Sequence, residues 1–112
     1  MPLVHRAHSL LIEMSSVRLS DYVFPGQKAG RPLSETAMPN LMKRMKVADY
    51  TVHGFRSCFR DWAGDQTSFS REVAEAALAH SVGDATERAY RRADALEKRR
   101  ALMEAWSVYC CS

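Results

Sequence analysis

Apolar residues recur every three or four positions along most of this chain, and this is the period of an α-helix. The clearest series consists of Leu3, Ala7, Leu10 and Met14. The one extended segment, 22–24, has only three residues and is followed by the turn-forming pair Pro25-Gly26. We therefore predict a mainly α fold of about six helices, with at most a short strand.

The chain has 112 residues, which sets an upper limit of one domain. Its composition is 46% hydrophobic and 26% charged, which argues against a disordered chain. No apolar run approaches the roughly 20 residues of a membrane span. The three cysteines are an odd number without the spacing of a disulfide framework, so we expect free thiols in the cytoplasm.

Local signals predict where individual helices begin and end. Ser34 is typical of an N-cap, for a helix that runs to about Lys46, and Ser70 of the N-cap of a helix through Ala79. The pairs Asp84/Glu87 and Asp94/Glu97 fit capping boxes, the first for a short helix through Arg92 and the second for the last helix. A further helix runs from about His53 to Gly64, and we expect its apolar side to form core with Phe55, Cys58, Phe59 and Trp62.

Basic residues are concentrated in two segments, although the formal net charge is only +3. Residues 26–60 carry seven Lys and Arg against two Asp and Glu, and residues 86–100 carry six against three. Such clusters permit binding to nucleic acid. From charge alone, a solvated helix face is an equally good interpretation.

Four residues of catalytic type occur in a defined order. His53 and Arg56 form a His-x-x-Arg motif, His80 follows Leu78-Ala79, and Tyr90 comes ten residues later, ahead of Arg91-Arg92. In this order and spacing, the chain resembles the C-terminal part of the catalytic domain of tyrosine recombinases, the phage-integrase family, in the form found in P4-like prophages. The similarity extends from about Tyr22 to Cys110, and more weakly back to Pro2. The family has Gly where this chain has Ala79.

The resemblance implies a chemistry for each of these residues. Tyr90 would attack a DNA phosphodiester and form a 3′-phosphotyrosyl link, so that the ends can be rejoined. The guanidinium of Arg56 would hold the negative charge of the transition state, His53 would act in proton transfer, and His80 would donate a hydrogen bond to the phosphate. Contacts to DNA are expected from Arg60, Arg91, Arg92, Lys28 and Arg31. Neither a metal nor any other cofactor is expected.

Two catalytic residues of the family, an upstream arginine and a lysine on a β-hairpin, have no match in this sequence. We therefore expect residues 1–112 to be the distal half of an integrase catalytic domain, without the upstream half and the DNA-binding domains, and to be inactive alone. The implied partners are double-stranded DNA with attachment-type sites and, in the full-length protein, further copies of itself. The implied location is the cytoplasm of a bacterium, at the nucleoid and away from membranes.

Other interpretations of the same residues remain open. Taken singly, Tyr90 could be a packing residue, and Arg56 could form a surface ion pair with Asp61 or Glu75. A metal site of His53, Cys58 and His80 matches no common zinc spacing. As alternatives to an enzyme, the chain could be a non-catalytic DNA-binding or protein-interaction remnant of an integrase, or a helical scaffold without a role in DNA binding.

Overall fold

The computed structural model describes residues 2–80 and 92–112, with side chains from residue 95 onward in the second range. Within these ranges the chain forms five helices, which are α1 (His5–Ser16), α2 (Ala37–Arg44), α3 (Gly54–Gln66), α4 (Arg71–Ala77) and α5 (Arg92–Cys111). The same ranges contain no β-strand, so the prediction of a mainly α fold is confirmed. None of the five helices is both long enough and apolar enough to cross a membrane.

The chain divides into two compact units. The first unit is His5–Phe55 and contains α1 and α2. The second unit is Arg56–Ser112 together with Met1–Val4, and it contains α4, α5 and all but the first two residues of α3. That residues 1–112 are a partial catalytic domain stays a prediction.

The first unit buries few side chains. α1 has no buried residue, and in α2 only Met42 is buried, at 7% exposure. The turn predicted at Pro25-Gly26 is present, since the Gly26 N–H donates to the carbonyl of Arg31 at 2.7 Å and Pro25 forms a bridge with Pro32. A Cβ at Gly26 would lie 2.2 Å from the Pro32 carbonyl oxygen, so only glycine fits there.

Helix α2 begins at Ala37, and the prediction of an N-cap at Ser34 is wrong. Pro39 gives the reason, because it has no N–H to donate. In a helix starting directly after Ser34, Pro39 would have to donate to the carbonyl of Glu35. In the observed helix it lies in the first turn, where backbone N–H groups have no partner within the helix.

Arg92 and Ala93 already lie in α5, so the prediction that Asp94 caps the last helix is wrong, and the short helix predicted to end at Arg92 falls mostly outside the described residues. Asp94 instead lies within α5. The capping box predicted at Asp84 and Glu87 lies outside the described residues.

The core of the second unit is formed by α3, α4 and α5. Its buried side chains are Phe59, Trp62, Ala63, Val73, Ala74, Ala77 and Leu102. Trp106 lies against this core, with its ring centre 5.4 Å from that of Phe59 and 5.0 Å from that of Trp62. Aromatic pairs at these distances add about 0.5–1.5 kcal/mol beyond the burial of area. The core therefore fixes the relative positions of α3 and α4, which carry the residues described below.

The apolar side of α3 is narrower than predicted. Phe59, Trp62 and Ala63 are buried, as the spacing of three and four residues requires. Phe55 is 58% exposed and Cys58 is also exposed, so both predictions of core positions are wrong. The sequence pattern could not set this limit, because the width of a buried stripe depends on which helices pack against it.

The C-terminal end of α2 closes with two characteristic backbone hydrogen bonds. The N–H of Val47 donates to the carbonyl of Met42, and the N–H of Lys46 donates to that of Lys43, both at 3.0 Å. This is the Schellman motif, in which the residue after the C-cap takes a left-handed conformation. Lys46 takes it here, with φ of 61°.

Candidate functional site

The same backbone motif ends α4 and determines where His80 lies. The His80 N–H donates to the carbonyl of Glu75 at 2.9 Å, and the Ala79 N–H donates to that of Ala76 at 3.1 Å. Ala79 is the left-handed residue, with φ of 59°. This conformation favours glycine, so Ala79 occupies a position where an L side chain is strained.

The side chains of Glu75 and His80 face each other across this helix end. His80 Nδ1 lies 2.5 Å from Glu75 Oε2, within hydrogen-bond distance. The side chain of Glu75 is only 9% exposed, whereas that of His80 is 45% exposed. A buried carboxylate thus holds one edge of the imidazole and leaves the other edge accessible.

Arg56 of α3 contacts that other edge. Its Nη2 lies 2.7 Å from His80 Nε2 and donates to the carbonyl oxygen of Leu78, also at 2.7 Å. Since Nη2 carries two protons, one is available for each acceptor. Arg56 and His80, 24 residues apart in the sequence, are therefore direct neighbours in the second unit.

Glu75 has a second cationic neighbour, Arg60 of α3, whose Nε lies 2.8 Å from Oε1. This is an ion-pair distance without hydrogen-bond alignment, because Oε1 has no hydrogen-bond partner in the described part of the chain. The hydrogen bond from His80 lowers the pKa of Glu75, and the charges of Arg60, His80 and Arg71 lower it further against the opposing effect of burial. The carboxyl group is therefore held in its ionised form.

The structure brings two of the four predicted catalytic residues into contact, Arg56 and His80. His53 is exposed directly before α3 and belongs to the first unit. Tyr90 lies outside the described residues, so its role stays a prediction. The alternative pairing of Arg56 with Asp61 or Glu75 is not what the described residues form, because Glu75 is paired with Arg60 instead.

The predicted DNA contacts lie in three places. Arg60 is half-exposed beside Glu75. Lys28 and Arg31 are exposed in the turn between Pro25 and Pro32, where the Arg31 N–H donates to the Lys28 carbonyl at 3.1 Å. Arg91 lies outside the described residues, and Arg92 is the first residue of α5. Their binding to DNA stays a prediction.

Sequence reasoning missed the role of Glu75, which it considered only as an ion-pair partner of Arg56. A usable signal was present, since Glu75 precedes His80 by five residues across a helix end. That spacing brings both residues to the same side when the helix closes in a Schellman motif. Within residues 2–80 and 92–112, no three His, Cys, Asp or Glu side chains form a group that could hold a metal ion.

Among curated proteins, the chain is similar to the Prophage integrase IntA of Escherichia coli (strain K12). The two are 35% identical over 89 residues, which is 78% of this chain and 21% of that protein. The chain thus spans about a fifth of the length of this relative. No family model matches the chain, and no solved structure matches it.

Proposed function

The chain is related to the integrases, and from that premise we propose that it is part of a site-specific tyrosine recombinase that cleaves and rejoins DNA. The coarser statement, an integrase relationship, rests on the 35% identity over most of this chain. The specific chemistry is supported by one observation above all, the contact between Arg56 Nη2 and His80 Nε2 at 2.7 Å.

Arg56 and His80 are suited to hold a phosphate. Arginine offers several N–H donors in a planar fork, which matches the oxygens of a phosphate group. Imidazole can supply a further donor when Nε2 carries a proton. A DNA phosphate next to both side chains would take the place of their mutual contact, and its non-bridging oxygens would be stabilised as negative charge develops in the transition state.

Tyr90 supplies the nucleophile in this proposal. Its hydroxyl oxygen attacks the phosphorus, the bond to the 5′ oxygen breaks, and the leaving 5′ oxygen takes up a proton. His53 is assigned to proton transfer, because an unperturbed tyrosine hydroxyl has a pKa of about 10 and must lose its proton to attack. The phosphotyrosyl bond retains the energy needed for rejoining, so no cofactor enters the balance.

The remaining basic residues are proposed to contact the DNA backbone, with Arg60, Arg91 and Arg92 near the reacting phosphate and Lys28 and Arg31 in the first unit. The upstream arginine and the lysine of the family would have to come from elsewhere in a complete active site. We therefore propose that this chain alone cleaves DNA slowly or not at all, since one missing contact to transition-state charge lowers a rate by about 10²–10³-fold.

Binding to a short DNA duplex at low salt tests the first part of the proposal. Replacing Arg56 by Ala should weaken binding about 10- to 100-fold, because a hydrogen bond to a charged group is lost. Arg6→Ala is the matched control, because Arg6 is exposed on α1 and its substitution removes the same charge as Arg56→Ala. Binding should also fall steeply with added salt. A wild-type chain that fails to bind DNA at low salt would contradict the proposal and favour the scaffold alternative.

Covalent trapping on a nicked duplex tests the second part. The chain is mixed with a separately produced upstream catalytic half of a prophage integrase, and an adduct that survives SDS is expected. The adduct should be absent with Tyr90→Phe and absent when this chain is used alone. DNA binding without any Tyr90-dependent adduct would favour the non-catalytic remnant.

A further inference from the structure

Glu75 stands out because it is the one charged residue that is buried among the described residues, with 7% of its surface exposed. Taking a carboxylate out of water is unfavourable unless the group is paired and hydrogen-bonded. Both of its oxygens are directed at functional candidates, Oε2 at His80 Nδ1 and Oε1 at Arg60 Nε. Glu75 is therefore a buried anion of this unit, and its two partners, His80 and Arg60, have half-exposed side chains.

We propose that Glu75 is a positioning residue of the phosphate site, which acts through His80 on Arg56. This inference rests on the proposed function, because the phosphate site is part of that proposal. A carboxylate can only accept, so Nδ1 of His80 must carry the proton of their hydrogen bond. Glu75 thereby selects the tautomer of the ring as well as its orientation.

The selected tautomer determines what Arg56 can do. With the proton on Nδ1, Nε2 of the neutral ring has a lone pair and accepts a hydrogen bond from Arg56 Nη2. The Leu78 carbonyl accepts the second proton of the same nitrogen. These two hydrogen bonds hold the guanidinium group in place before any DNA is bound. Glu75 therefore fixes the tautomer of His80, and His80 in turn fixes the position of the Arg56 guanidinium.

The same carboxylate serves His80 when a phosphate is bound. To donate to a phosphate oxygen, Nε2 needs a proton in addition to the one on Nδ1. Nε2 takes up that proton from water, and Glu75 then pairs with the doubly protonated ring through Nδ1. Among the residues that the structure describes, the charged groups around the ring are Glu75 on one edge and Arg56 on the other, with Arg60 and Arg71 beside Glu75. Glu75 is the only anion among these four.

Nitrogen NMR of the 112-residue chain with labelled histidine tests the tautomer directly. Above the ordinary titration range of histidine, His80 should show a protonated Nδ1 and an unprotonated Nε2, and a His80→Gln sample assigns its signals. The exposed His5, His8 and His53 provide the internal reference. If the two ring nitrogens of wild-type His80 give the same signals as those of the three exposed histidines, the inference is overturned, and no variant of Glu75 is needed for that result.

Affinity for a short DNA duplex tests the action on Arg56. Glu75→Gln removes one negative charge, so a purely electrostatic role predicts tighter binding. A positioning role predicts the opposite, a loss of about fivefold, which corresponds to one weakened hydrogen bond. Glu72→Gln is the matched control, because Glu72 is exposed in the first turn of the same helix, and it should bind as tightly as wild type or tighter.

The outcomes separate this inference from the proposed function. If wild type binds, Arg56→Ala weakens binding and Glu75→Gln does not, the inference is wrong and the function stands. If wild type does not bind at all, the function is wrong. In a double-mutant cycle, Glu75→Gln should have little further effect once Arg56 is Ala, and independent effects of the two substitutions would also overturn the inference.

Discussion

The ends of α2 and α4 have the same backbone geometry but carry opposite side-chain chemistry. In both, the residue two positions after the C-cap donates its N–H to a carbonyl five residues earlier. At α2 these two positions hold Val47 and Met42, which fit the apolar contact that commonly accompanies this motif. At α4 the same positions hold His80 and Glu75, which are hydrogen-bonded to each other.

The difference between the two helix ends shows that this way of closing a helix does not determine which side chains occupy the two facing positions. Closing a helix in this way requires only the two backbone hydrogen bonds and a left-handed residue, and both ends have them. The usual apolar pair is sufficient for that purpose. A buried carboxylate is often no more stable than an apolar side chain of similar size, so the polar pair at α4 needs a reason other than stability. Its contact with Arg56 supplies that reason.

The largest effect should come from removing the apolar anchor of the α2 end. Met42→Ala should lower the free energy of unfolding by about 2–5 kcal/mol, because the buried side chain leaves a cavity. Met45→Ala is the matched control, since Met45 is 62% exposed and its loss should change stability by less than about 0.5 kcal/mol. Urea unfolding followed by far-UV circular dichroism measures both. Equal effects would mean that Met42 does not anchor this end.

Replacing the left-handed residue by glycine should raise the free energy of unfolding by a similar amount at the ends of α2 and α4. Ala79→Gly and Lys46→Gly should each raise the free energy of unfolding by roughly 1 kcal/mol, because glycine relieves the steric penalty at positive φ. The gain is reduced by the greater freedom of glycine in the unfolded chain. Thermal unfolding of the two variants gives the comparison. Destabilisation by Ala79→Gly would show that the α4 end is not held in this conformation.

Acid should reduce the stabilisation that Glu75 contributes at the end of α4. Because the hydrogen bond from His80 lowers the pKa of Glu75 in the folded chain, the unfolded chain binds this proton first as the pH falls. The resulting stabilisation is complete above the unfolded value of about 4.5 and is lost as the pH falls through the folded-state pKa. Wild type should therefore exceed Glu75→Gln in urea stability at pH 7, and the difference should shrink by pH 3. A constant difference would contradict the shift.

The smallest effect on stability is expected from giving the α4 end the side chains of the α2 end. The double variant Glu75→Met, His80→Val should unfold at a temperature no lower than wild type, since an apolar pair replaces a buried ionic one. Its affinity for DNA should fall to the level of Arg56→Ala. Thermal unfolding and duplex binding are the two readouts. A severe loss of stability would mean that the polar pair is required for folding.

The helical character of the chain could be predicted because apolar spacing directly reports a helix face. The start of α2 could not be read from Ser34 alone, since the missing N–H of Pro39 has more influence than a favourable cap. Phe55 and Cys58 continue the apolar series of α3, and yet they are exposed, because burial depends on the partners α4 and α5 rather than on the helix itself.

The candidate site was partly predictable for a different reason. Arg56 and His80 were identified by order and spacing, and the structure places them 2.7 Å apart. The residue type of Glu75 gave no signal, because a glutamate inside a helix is usually a solvated surface residue, and its five-residue spacing to His80 is informative only once a helix end is placed between them. Its burial depends on the tertiary surroundings of α4, which include Arg60 of α3, and these are not encoded in a local pattern.

The aromatic core of the second unit has a practical consequence for optical work on this protein. Its two tryptophans, Trp62 and Trp106, are neighbours in that core, and the first unit has none. Intrinsic tryptophan fluorescence therefore reports on one unit, whereas the helical signal of circular dichroism comes from both. Coincident unfolding curves from the two probes would mean that the two units unfold together. Separate curves would mean that each unit unfolds in a transition of its own.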